Sequence, residues 1–442
     1  MNIYAVGGYD QIGGNMTVVE VGEEAVVLDM GLYLEPYIQY TDDLEFEQVK
    51  IEDLKKIGAV PDDSIILPIK KKIKAIVPSH AHLDHVGAIV WMSNQYDCPI
   101  ICTPFTAEVI KAIAKDEKIT LKNPVKSVPS NGTYKLTNKI TLEFVHVTHS
   151  TPHTAMVCIH TPEGRVMYAN DFKLDNSPVL GKKPNYERFK QLGEEGIKAL
   201  ICDSTRALTL GKTPSEQVAK EMLKDVMLGT DSSGKAIVFT TFSSHIARLK
   251  SAVEFAQQIG RKVVILGRSL GKYIEAAENV HLVDFSKTCE IVRYGKHIRR
   301  KLQEIQRSPE KYVMIVTGHQ AEPKATLSKI ARRELQFRFS KEDHIIFSCG
   351  VIPTAINQEN RHKLEEDLKE MGVRIFKDIH VSGHAAKEDL RDLLTLLKPK
   401  HLIPAHGELD MRMALANLAV ERGYRMDKNI HILHNGGHLQ LR

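Results

Sequence analysis

The sequence lacks several features that would each indicate a particular class of protein. None of its six cysteines forms a CxxC pair, so neither a redox motif nor a cysteine-rich zinc site is indicated. No apolar run approaches the ~18 residues that a membrane helix needs, and the N-terminus shows no signal-peptide pattern. With one tryptophan and 6% aromatic residues, no clear platform for stacking bases is evident. These absences predict a cytoplasmic protein with reduced thiols and no membrane partner.

What is present is an ordinary globular composition with many histidines. The 442 residues exceed the ~250–300 that one core usually serves, so at least two structural units are expected. A net charge of +5 is compatible with a polyanionic partner and does not identify one. The 20 histidines are an excess in the residue type that most often binds metals and transfers protons near neutral pH.

The arrangement of apolar segments changes near the middle of the chain. Up to about Asp203 it is rich in strands, with helices near His85–Tyr96 and Pro104–Lys115, where apolar residues recur at helical spacing. After about Leu208, apolar strands alternate with helical stretches. Such alternation predicts an α/β unit with a mainly parallel sheet flanked by helices.

Four potential metal ligands follow an apolar strand in the segment His80-Ala81-His82-Leu83-Asp84-His85. His80 and His82 lie two residues apart and share a face in extended backbone. Asp84 and His85 follow as the chain turns into a helix, so they can face a second point nearby. A polar loop with capping histidines is the alternative, but four ligand-type residues in this order favour two adjacent cations.

Further ligands are expected where later strands end, at His149, Asp171 and His406, with Asp171 placed to bridge. Each alone would more often be a hydrogen-bonded turn residue. Two adjacent cations can lower the pKa of a bridging water and neutralise charge on an attacked phosphate. Imidazole and carboxylate ligands favour two zinc ions, with manganese and magnesium as alternatives. Asp29 ends an early strand, where it either orients ligands by hydrogen bonds or only forms a turn.

This set of residues resembles the motifs of the metallo-β-lactamase superfamily. The resemblance implies a metallo-β-lactamase αββα sandwich with two metals at one edge. One metal would be held by His80, His82 and His149, and the other by Asp84, His85 and His406, with Asp171 between them.

The second half of the chain resembles the β-CASP branch of that superfamily, whose nucleases carry an inserted domain. The matching motifs are Asp203 after a strand, His384 in a Ser-Gly-His run, and His406 in Pro-Ala-His-Gly. The resemblance implies a metallo-β-lactamase domain over 1–207, a β-CASP domain over 208–375, and the C-terminal part of the first domain over 376–442.

Within this branch the sequence is most similar to the ribonuclease J family, in its short archaeal form. The similarity lies in Thr213-Pro214-Ser215-Glu216, Gly267-Arg268-Ser269 and Gly318-His319-Gln320-Ala321-Glu322-Pro323. Two positions depart from the usual pattern: His153, where bacterial members commonly carry aspartate, and His319, where serine is common. Neither is a metal ligand in the family.

The resemblance implies a metal-dependent 5′-to-3′ exoribonuclease that acts on single-stranded 5′-monophosphate RNA in RNA processing and decay, with endonuclease capacity and a homodimeric assembly. Asp84, His384 and Asp203 are the predicted catalytic residues. His384 would stabilise charge or protonate the leaving oxygen while Asp203 holds its other ring nitrogen. A turn histidine is the alternative for His384.

Two polar turns are candidate sites for the 5′ phosphate, since hydroxyls and helix-start amides bind anions. The candidate residues are Ser243, Ser244 and His245 in one turn, and Ser382, Gly383, His384 and Ala385 in the other. Helix capping by Ser243 or Ser244 is the competing interpretation.

Two other functions remain open at this stage. A DNA nuclease of the same branch would have the same ligands, and only the resemblance favours RNA. A catalytically silent RNA-binding scaffold is disfavoured, because all seven ligands are present.

Overall fold

The structure is a computed structural model that describes residues 1–43, 49–352, 354–426 and 428–442. These ranges contain nineteen strands: β1 (Asn2–Gly7), β2 (Met16–Val21), β3 (Glu24–Leu28), β4 (Ile73–Val77), β5 (Ile100–Cys102), β6 (Val125–Ser127), β7 (Thr133–Lys135), β8 (Thr141–His146), β9 (Ala155–Thr161), β10 (Gly164–Ala169), β11 (Ala199–Asp203), β12 (Ile237–Thr240), β13 (Lys262–Leu266), β14 (Cys289–Val292), β15 (Tyr312–Val316), β16 (His344–Phe347), β17 (Arg374–Phe376), β18 (His401–Ala405) and β19 (Gly437–Gln440).

The same ranges contain fourteen α-helices: α1 (Leu34–Asp43), α2 (Ile51–Lys56), α3 (Leu83–Val86), α4 (Ile89–Met92), α5 (Pro104–Asp116), α6 (Tyr186–Glu195), α7 (Glu216–Gly229), α8 (Ile246–Gln258), α9 (Arg268–Asn279), α10 (Gly295–Ile305), α11 (Thr326–Ala331), α12 (Ala355–Glu370), α13 (Lys387–Leu397) and α14 (Leu409–Glu421). Short 3-10 helices cover Asp63–Lys72, Ser93–Gln95, Phe285–Lys287 and Pro309–Lys311. None of the helices in the described part of the chain is both long and apolar enough to cross a bilayer.

The chain forms two compact units. The first unit comprises Met1–Asn176, Gly181–Thr213 and Gly383–Arg442, and the second comprises Ser177–Leu180 and Pro214–Ser382. The first unit is therefore built from sequence segments on both sides of the second.

The first unit is a sandwich of two mixed sheets. One sheet has the order β19-β1-β2-β3-β4-β5-β6 and the other β18-β11-β10-β9-β8-β7. Fully buried side chains from both sheets, such as Val26 and Leu28 with Phe144 and Val157, form one core between them. Burying each such side chain stabilises the fold by about 1.5–3 kcal/mol.

Helices cover both outer faces of this sandwich. Helices α6, α13 and α14 place Leu192, Leu393 and Leu415 in a core with the outer face of the second sheet. Helix α5 contacts β5 and β6 of the first sheet. The layers follow the order helix, sheet, sheet, helix, and the predicted αββα sandwich is confirmed.

The second unit contains a six-stranded sheet of order β14-β13-β15-β12-β16-β17 in which every neighbouring pair is parallel. Because parallel strands need crossover connections, helices alternate with the strands. The inner strands are buried on both faces, as in Ile237–Thr240, which explains their continuous apolar runs. The predicted mainly parallel sheet flanked by helices is confirmed.

One predicted helix is interrupted. Instead of one helix over His85–Tyr96, the chain forms α3, α4 and a 3-10 turn. The amide of Ala88 donates to the carbonyl of Met30, and the carbonyl of Asp84 accepts from the amide of Asn15. These long-range bonds replace the i to i−4 bond that would join the two turns.

Candidate metal centre

The predicted ligands lie in the segments that follow strands of both sheets of the first unit, and two of them, Asp84 and His85, lie in the short helix α3. They are placed after β4, β8, β10 and β18, at His80, His82, Asp84, His85, His149, Asp171 and His406. Asp171 and His406 adopt left-handed backbone with φ of 50° and 51°, which costs about 1–2 kcal/mol per residue outside glycine. The surrounding sandwich holds the chain in this conformation directly after each strand.

One group of ligand atoms consists of three imidazole nitrogens and a carboxylate oxygen. His82 Nδ1 lies 3.1 Å from His80 Nε2 and 3.0 Å from His149 Nε2. Asp171 Oδ2 lies 3.5 Å from His80 Nε2 and 3.4 Å from His149 Nε2. All four atoms therefore converge on one point.

The second group uses the other oxygen of the same aspartate. Asp171 Oδ1 lies 3.1 Å from both His85 Nε2 and His406 Nε2. Asp84 Oδ2 lies 3.6 Å from His85 Nε2 and 3.8 Å from His406 Nε2. Asp171 thus presents one oxygen to each group, which is the arrangement expected of a bridging ligand.

The spacing of these atoms fits divalent cations. Nitrogen ligands at about 2.0–2.1 Å from a tetrahedral zinc ion lie about 3.3 Å apart, close to the separations observed here. Burial lowers the pKa of His80 and His149 well below the usual range, so both rings are neutral and have a free lone pair for a cation. Asp171 Oδ1 is buried without a hydrogen-bond partner. A cation in each group would satisfy these converging lone pairs.

Hydrogen bonds behind the rings fix their orientation. His85 Nδ1 donates to Asp29 Oδ2 at 2.6 Å, and His149 Nδ1 donates to the carbonyl of Gly383 at 2.8 Å. His406 Nδ1 lies 2.9 Å from Asn15 Oδ1. With Nδ1 of each ring occupied by this hydrogen bond, Nε2 is the nitrogen through which a cation would be bound.

Asp29 is the focus of this supporting network and is fully buried. Besides His85, its carboxylate accepts from the Ser79 amide at 2.7 Å, the Ser79 hydroxyl at 3.0 Å and the Tyr168 hydroxyl at 2.8 Å. Ser79 Oγ in turn lies 3.0 Å from His80 Nδ1. One carboxylate therefore orients a ligand in each group.

His384 and Asp203 form a pair beside the ligands. His384 Nδ1 donates to Asp203 Oδ2 at 2.9 Å, and Asp203 Oδ1 accepts from the Thr205 amide and hydroxyl at 2.8 Å. His384 Nε2 lies 4.0 Å from Asp171 Oδ2. Burial opposes protonation of His384, but the carboxylates of Asp203 and Asp171 raise its pKa to about 9; bound cations would act in the opposite direction.

The candidate phosphate-binding residues occur in both units. In the second unit, the Ser243 hydroxyl lies 3.0 Å from that of Ser269. The side chain of His245, and not Ser243 or Ser244, caps α8 by accepting from the Arg248 amide. The N-cap of α8 is therefore His245.

The other candidate turn, residues 382–385, contains the boundary between the two units. Ser382 belongs to the second unit, whereas Gly383, His384 and Ala385 belong to the first. A Cβ on Gly383 would lie 2.3 Å from Ser150 Oγ and 2.8 Å from His149 Cε1. Only glycine lets the backbone approach His149 closely enough to accept its hydrogen bond.

Sequence reasoning missed the contributions of Asn15 and Tyr168 and the role of the Gly383 carbonyl. Asn15 follows the pair Gly13-Gly14, and such a glycine-rich turn signals close backbone packing. Its amide nitrogen lies 3.1 Å from His85 Nε2, while its oxygen faces His406. This local signal could have identified Asn15, but not which ligands it contacts.

Both residues that depart from the bacterial pattern lie outside the ligand groups. His153 has a left-handed φ of 57° and its Nδ1 accepts from the Phe105 amide at 3.3 Å. In the second unit, the His319 ring packs edge-on against Phe242 at a centroid distance of 4.3 Å.

Three protein-family models match the chain. The metallo-beta-lactamase superfamily matches residues 9–200. The ribonuclease J beta-CASP domain matches residues 234–364, and the Zn-dependent metallo-hydrolase RNA specificity domain matches residues 370–433.

Two archaeal proteins named ribonuclease J are similar to this chain over nearly their whole length. The Methanocaldococcus jannaschii protein is 41% identical over 438 residues, covering 99% of this chain and 98% of the relative. The Pyrococcus abyssi protein is 42% identical over 439 residues, covering 99% and 96%. A crystal structure of an Enterococcus faecalis protein of unknown function shares the fold, with a TM-score of 0.66, 16% identity, and coverage of 100% of this chain and 99% of that one. The chain belongs to the ribonuclease J family, in the β-CASP branch of the metallo-β-lactamase superfamily.

Proposed function

We propose that this protein is a divalent-metal-dependent ribonuclease that hydrolyses phosphodiester bonds in single-stranded RNA. It acts as a 5′-to-3′ exoribonuclease on 5′-monophosphate RNA in RNA processing and decay, with endonuclease capacity. The observation that carries the proposal is Asp171, whose two oxygens face two separate groups of imidazole and carboxylate ligands. The names of the archaeal relatives support RNA as the substrate.

Two metal ions would be held by the seven ligands, one in each group. His80, His82 and His149 would hold the first, Asp84, His85 and His406 would hold the second, and Asp171 would contribute one oxygen to each. Zinc suits this donor set, with manganese and magnesium as alternatives. When bound, such ions lower the pKa of a coordinated water and neutralise charge on the attacked phosphate.

The chain's own contribution to proton transfer is the pair of His384 and Asp203. Asp203 fixes the His384 ring through Nδ1, which leaves Nε2 facing the ligand groups as a donor. From there His384 donates a proton to the leaving oxygen, or a hydrogen bond to the developing charge. Positioned proton transfer of this kind typically contributes 10²–10⁴-fold to a rate.

Recognition of a 5′ monophosphate requires an anion site in addition to the metals. Two separate turns are the candidates for it: Ser243 and Ser244 in the second unit, with His245 fixing the start of α8, and the turn of Gly383 and Ala385 in the first unit. Ser382 and His384 complete the proposed set. The domain boundaries at 207/208 and 375/376, the cytoplasmic location and a homodimer stay predictions.

End-labelled RNA tests the proposed mode of cleavage. Full-length protein is loaded with zinc, manganese or magnesium and given RNA that carries a 5′ monophosphate, triphosphate or hydroxyl, together with DNA of equal sequence. We expect single nucleotides to be released from monophosphate RNA and activity to be lost with a chelator. Internal fragments formed regardless of the 5′ group would refute the exonuclease, and equal cleavage of DNA would refute RNA specificity.

Substitution of His384 tests the proton donor. His384→Ala should lower kcat by about 10²–10⁴-fold while the metal content stays at the wild-type level. His297→Ala, at an exposed histidine of the second unit, is the matched control and should retain full activity. A near wild-type rate for His384→Ala would show that the histidine is only a turn residue.

A further inference from the structure

A basic groove lies on the first unit at the end of the second sheet remote from the ligands. It is lined by Lys398, Lys400, His401, Arg422, Tyr424 and Asn429, together with Pro399 and Gly423, and encloses about 450 Å³. Strand β18 begins at His401 beside the groove and ends at Ala405, directly before the ligand His406. Five residues of strand span about 17 Å, so the groove is separate from the metal centre.

The groove is held in shape by backbone hydrogen bonds. The Lys400 amide donates to the Ile197 carbonyl, and the Leu402 amide donates to the Asn429 carbonyl. The Asn429 side-chain amide donates to the Lys400 carbonyl at 3.0 Å. These bonds tie both walls of the groove to the sheet and to each other.

Three cations of this groove lack carboxylate partners. Lys398, Lys400 and Arg422 are exposed, and within the described ranges none of them forms an ion pair. Within the described residues, the Arg422 guanidinium donates one side-chain hydrogen bond, to the Thr395 hydroxyl at 2.8 Å. By contrast, Arg391 and Lys387 on α13 both pair with Glu421.

Helix ends explain only part of this charge. Lys398 and Arg422 are the C-cap residues of α13 and α14, where cations are favourable near the partial negative charge of the helix end. Lys400 lies between the end of α13 and the start of β18 and has no such role. Three cations around a concave, half-polar surface, beside the half-buried Tyr424 ring, suit a phosphate backbone with an adjacent base.

We propose that this groove is a second binding site for single-stranded RNA, which holds the substrate downstream of the cleavage site. The proposal rests on the proposed ribonuclease function. A stacked strand advances about 3.4 Å per nucleotide, so an RNA must be longer than about five nucleotides to reach the groove from the metal centre. Long substrates therefore gain affinity from the groove and very short ones do not.

The test combines binding and cleavage by the full-length, metal-loaded protein. The groove variant Lys398→Ala/Lys400→Ala/Arg422→Ala is compared with a control, Lys115→Ala/Lys122→Ala/Lys139→Ala, which removes three exposed, unpaired lysines from the same unit. Binding of a cleavage-resistant phosphorothioate 30-mer is measured by fluorescence anisotropy between 50 and 200 mM salt. Cleavage is measured on 30-nucleotide and 4-nucleotide RNA.

We expect the groove variant to bind the 30-mer more weakly, with a log–log salt slope about 2 smaller than that of the wild type, since each single-strand phosphate contact contributes about 0.7. The rise to 200 mM salt would therefore weaken the wild type about 20-fold more than the variant. KM should rise for 30-nucleotide RNA, while kcat on 4-nucleotide RNA stays unchanged. The control variant should keep the wild-type slope.

Other results would contradict either the RNA-binding role of the groove or the proposed function. Unchanged RNA binding with a lower melting temperature would show that the cations only stabilise helix ends, and equal losses in both variants would show a general charge effect. Capture of a protein partner with unchanged RNA binding would also overturn the RNA site. A wild type that binds RNA but cleaves none refutes the proposed function and leaves the groove intact.

Discussion

Asp29→Asn is the substitution that most directly tests how the centre is organised. The carboxylate accepts four hydrogen bonds, including those from the Ser79 amide and His85 Nδ1. An asparagine of the same shape has one oxygen and one amino group. Because the Ser79 backbone amide is always a donor, the asparagine oxygen must face it, and the amino group then faces His85.

This exchange changes the tautomer of His85. With an amino group opposite, Nδ1 must accept, so the proton moves to Nε2 and points into the second ligand group. Loss of a supporting hydrogen bond typically lowers metal affinity 10–100-fold, which corresponds to about 1.4–2.7 kcal/mol. We expect this loss in the group of His85 and a smaller change in the group of His80, which Asp29 contacts only through Ser79.

Metal competition with a chromophoric chelator measures both affinities in one titration. The wild type should bind two ions with high affinity. In Asp29→Asn, the dissociation constant of one of them should be about 10–100-fold higher. Asp63→Asn is the matched control, since Asp63 is a buried aspartate of the same unit that accepts hydrogen bonds from Lys55, Gln95 and Tyr96, none of which is a proposed ligand. Two unchanged affinities in Asp29→Asn would refute the tautomer argument.

Two further substitutions probe the first unit. Burial opposes ionisation of Glu143, but hydrogen bonds from His160 and Arg188 lower its pKa to about 2. This group therefore stabilises the fold above its unfolded pKa and loses that effect as the pH falls from about 4.5 to 2. Glu143→Gln should lower the free energy of unfolding by about 1–2 kcal/mol at pH 7 after solvent screening, and urea unfolding of metal-free protein should show the difference vanishing in acid; a constant difference would contradict the linkage. Gly383→Ala should displace His149 and weaken metal binding at least about 10-fold, measured by the same competition, and wild-type affinity would contradict the packing argument.

Much of the fold could be predicted because its inner strands, such as β8 and β11, are almost entirely buried. Apolar runs such as Thr141–Val147 and Ala199–Cys202 correspond to β8 and β11 within a residue or two. The interruption between α3 and α4 could not be predicted, since it depends on the Ala88 amide bonding to Met30, which lies 58 positions earlier. The local spacing of apolar residues gives no information about a hydrogen bond to such a distant partner.

In the candidate site too, some features follow from local sequence patterns and others depend on distant residues. The predicted ligand positions come from one pattern, a histidine or aspartate shortly after an apolar strand, as at His149 after β8. Its hydrogen-bond acceptor, the Gly383 carbonyl, lies 234 residues away, and Asn15 lies 391 residues from His406. These partners are backbone or amide groups whose identity gives no sign of their role, so only the folded chain shows them.

The place of His406 in the chain has a consequence for how the protein is made. Six ligands are contained in the first 171 residues, but the seventh is synthesised only after the entire second unit. At about 5–20 residues per second, the last 235 residues before His406 take roughly 10–50 s to emerge. A growing chain whose first strands have already folded still lacks His406, one of the predicted ligands of the second group. The order of synthesis thus keeps the second ligand group incomplete until the second unit has been made.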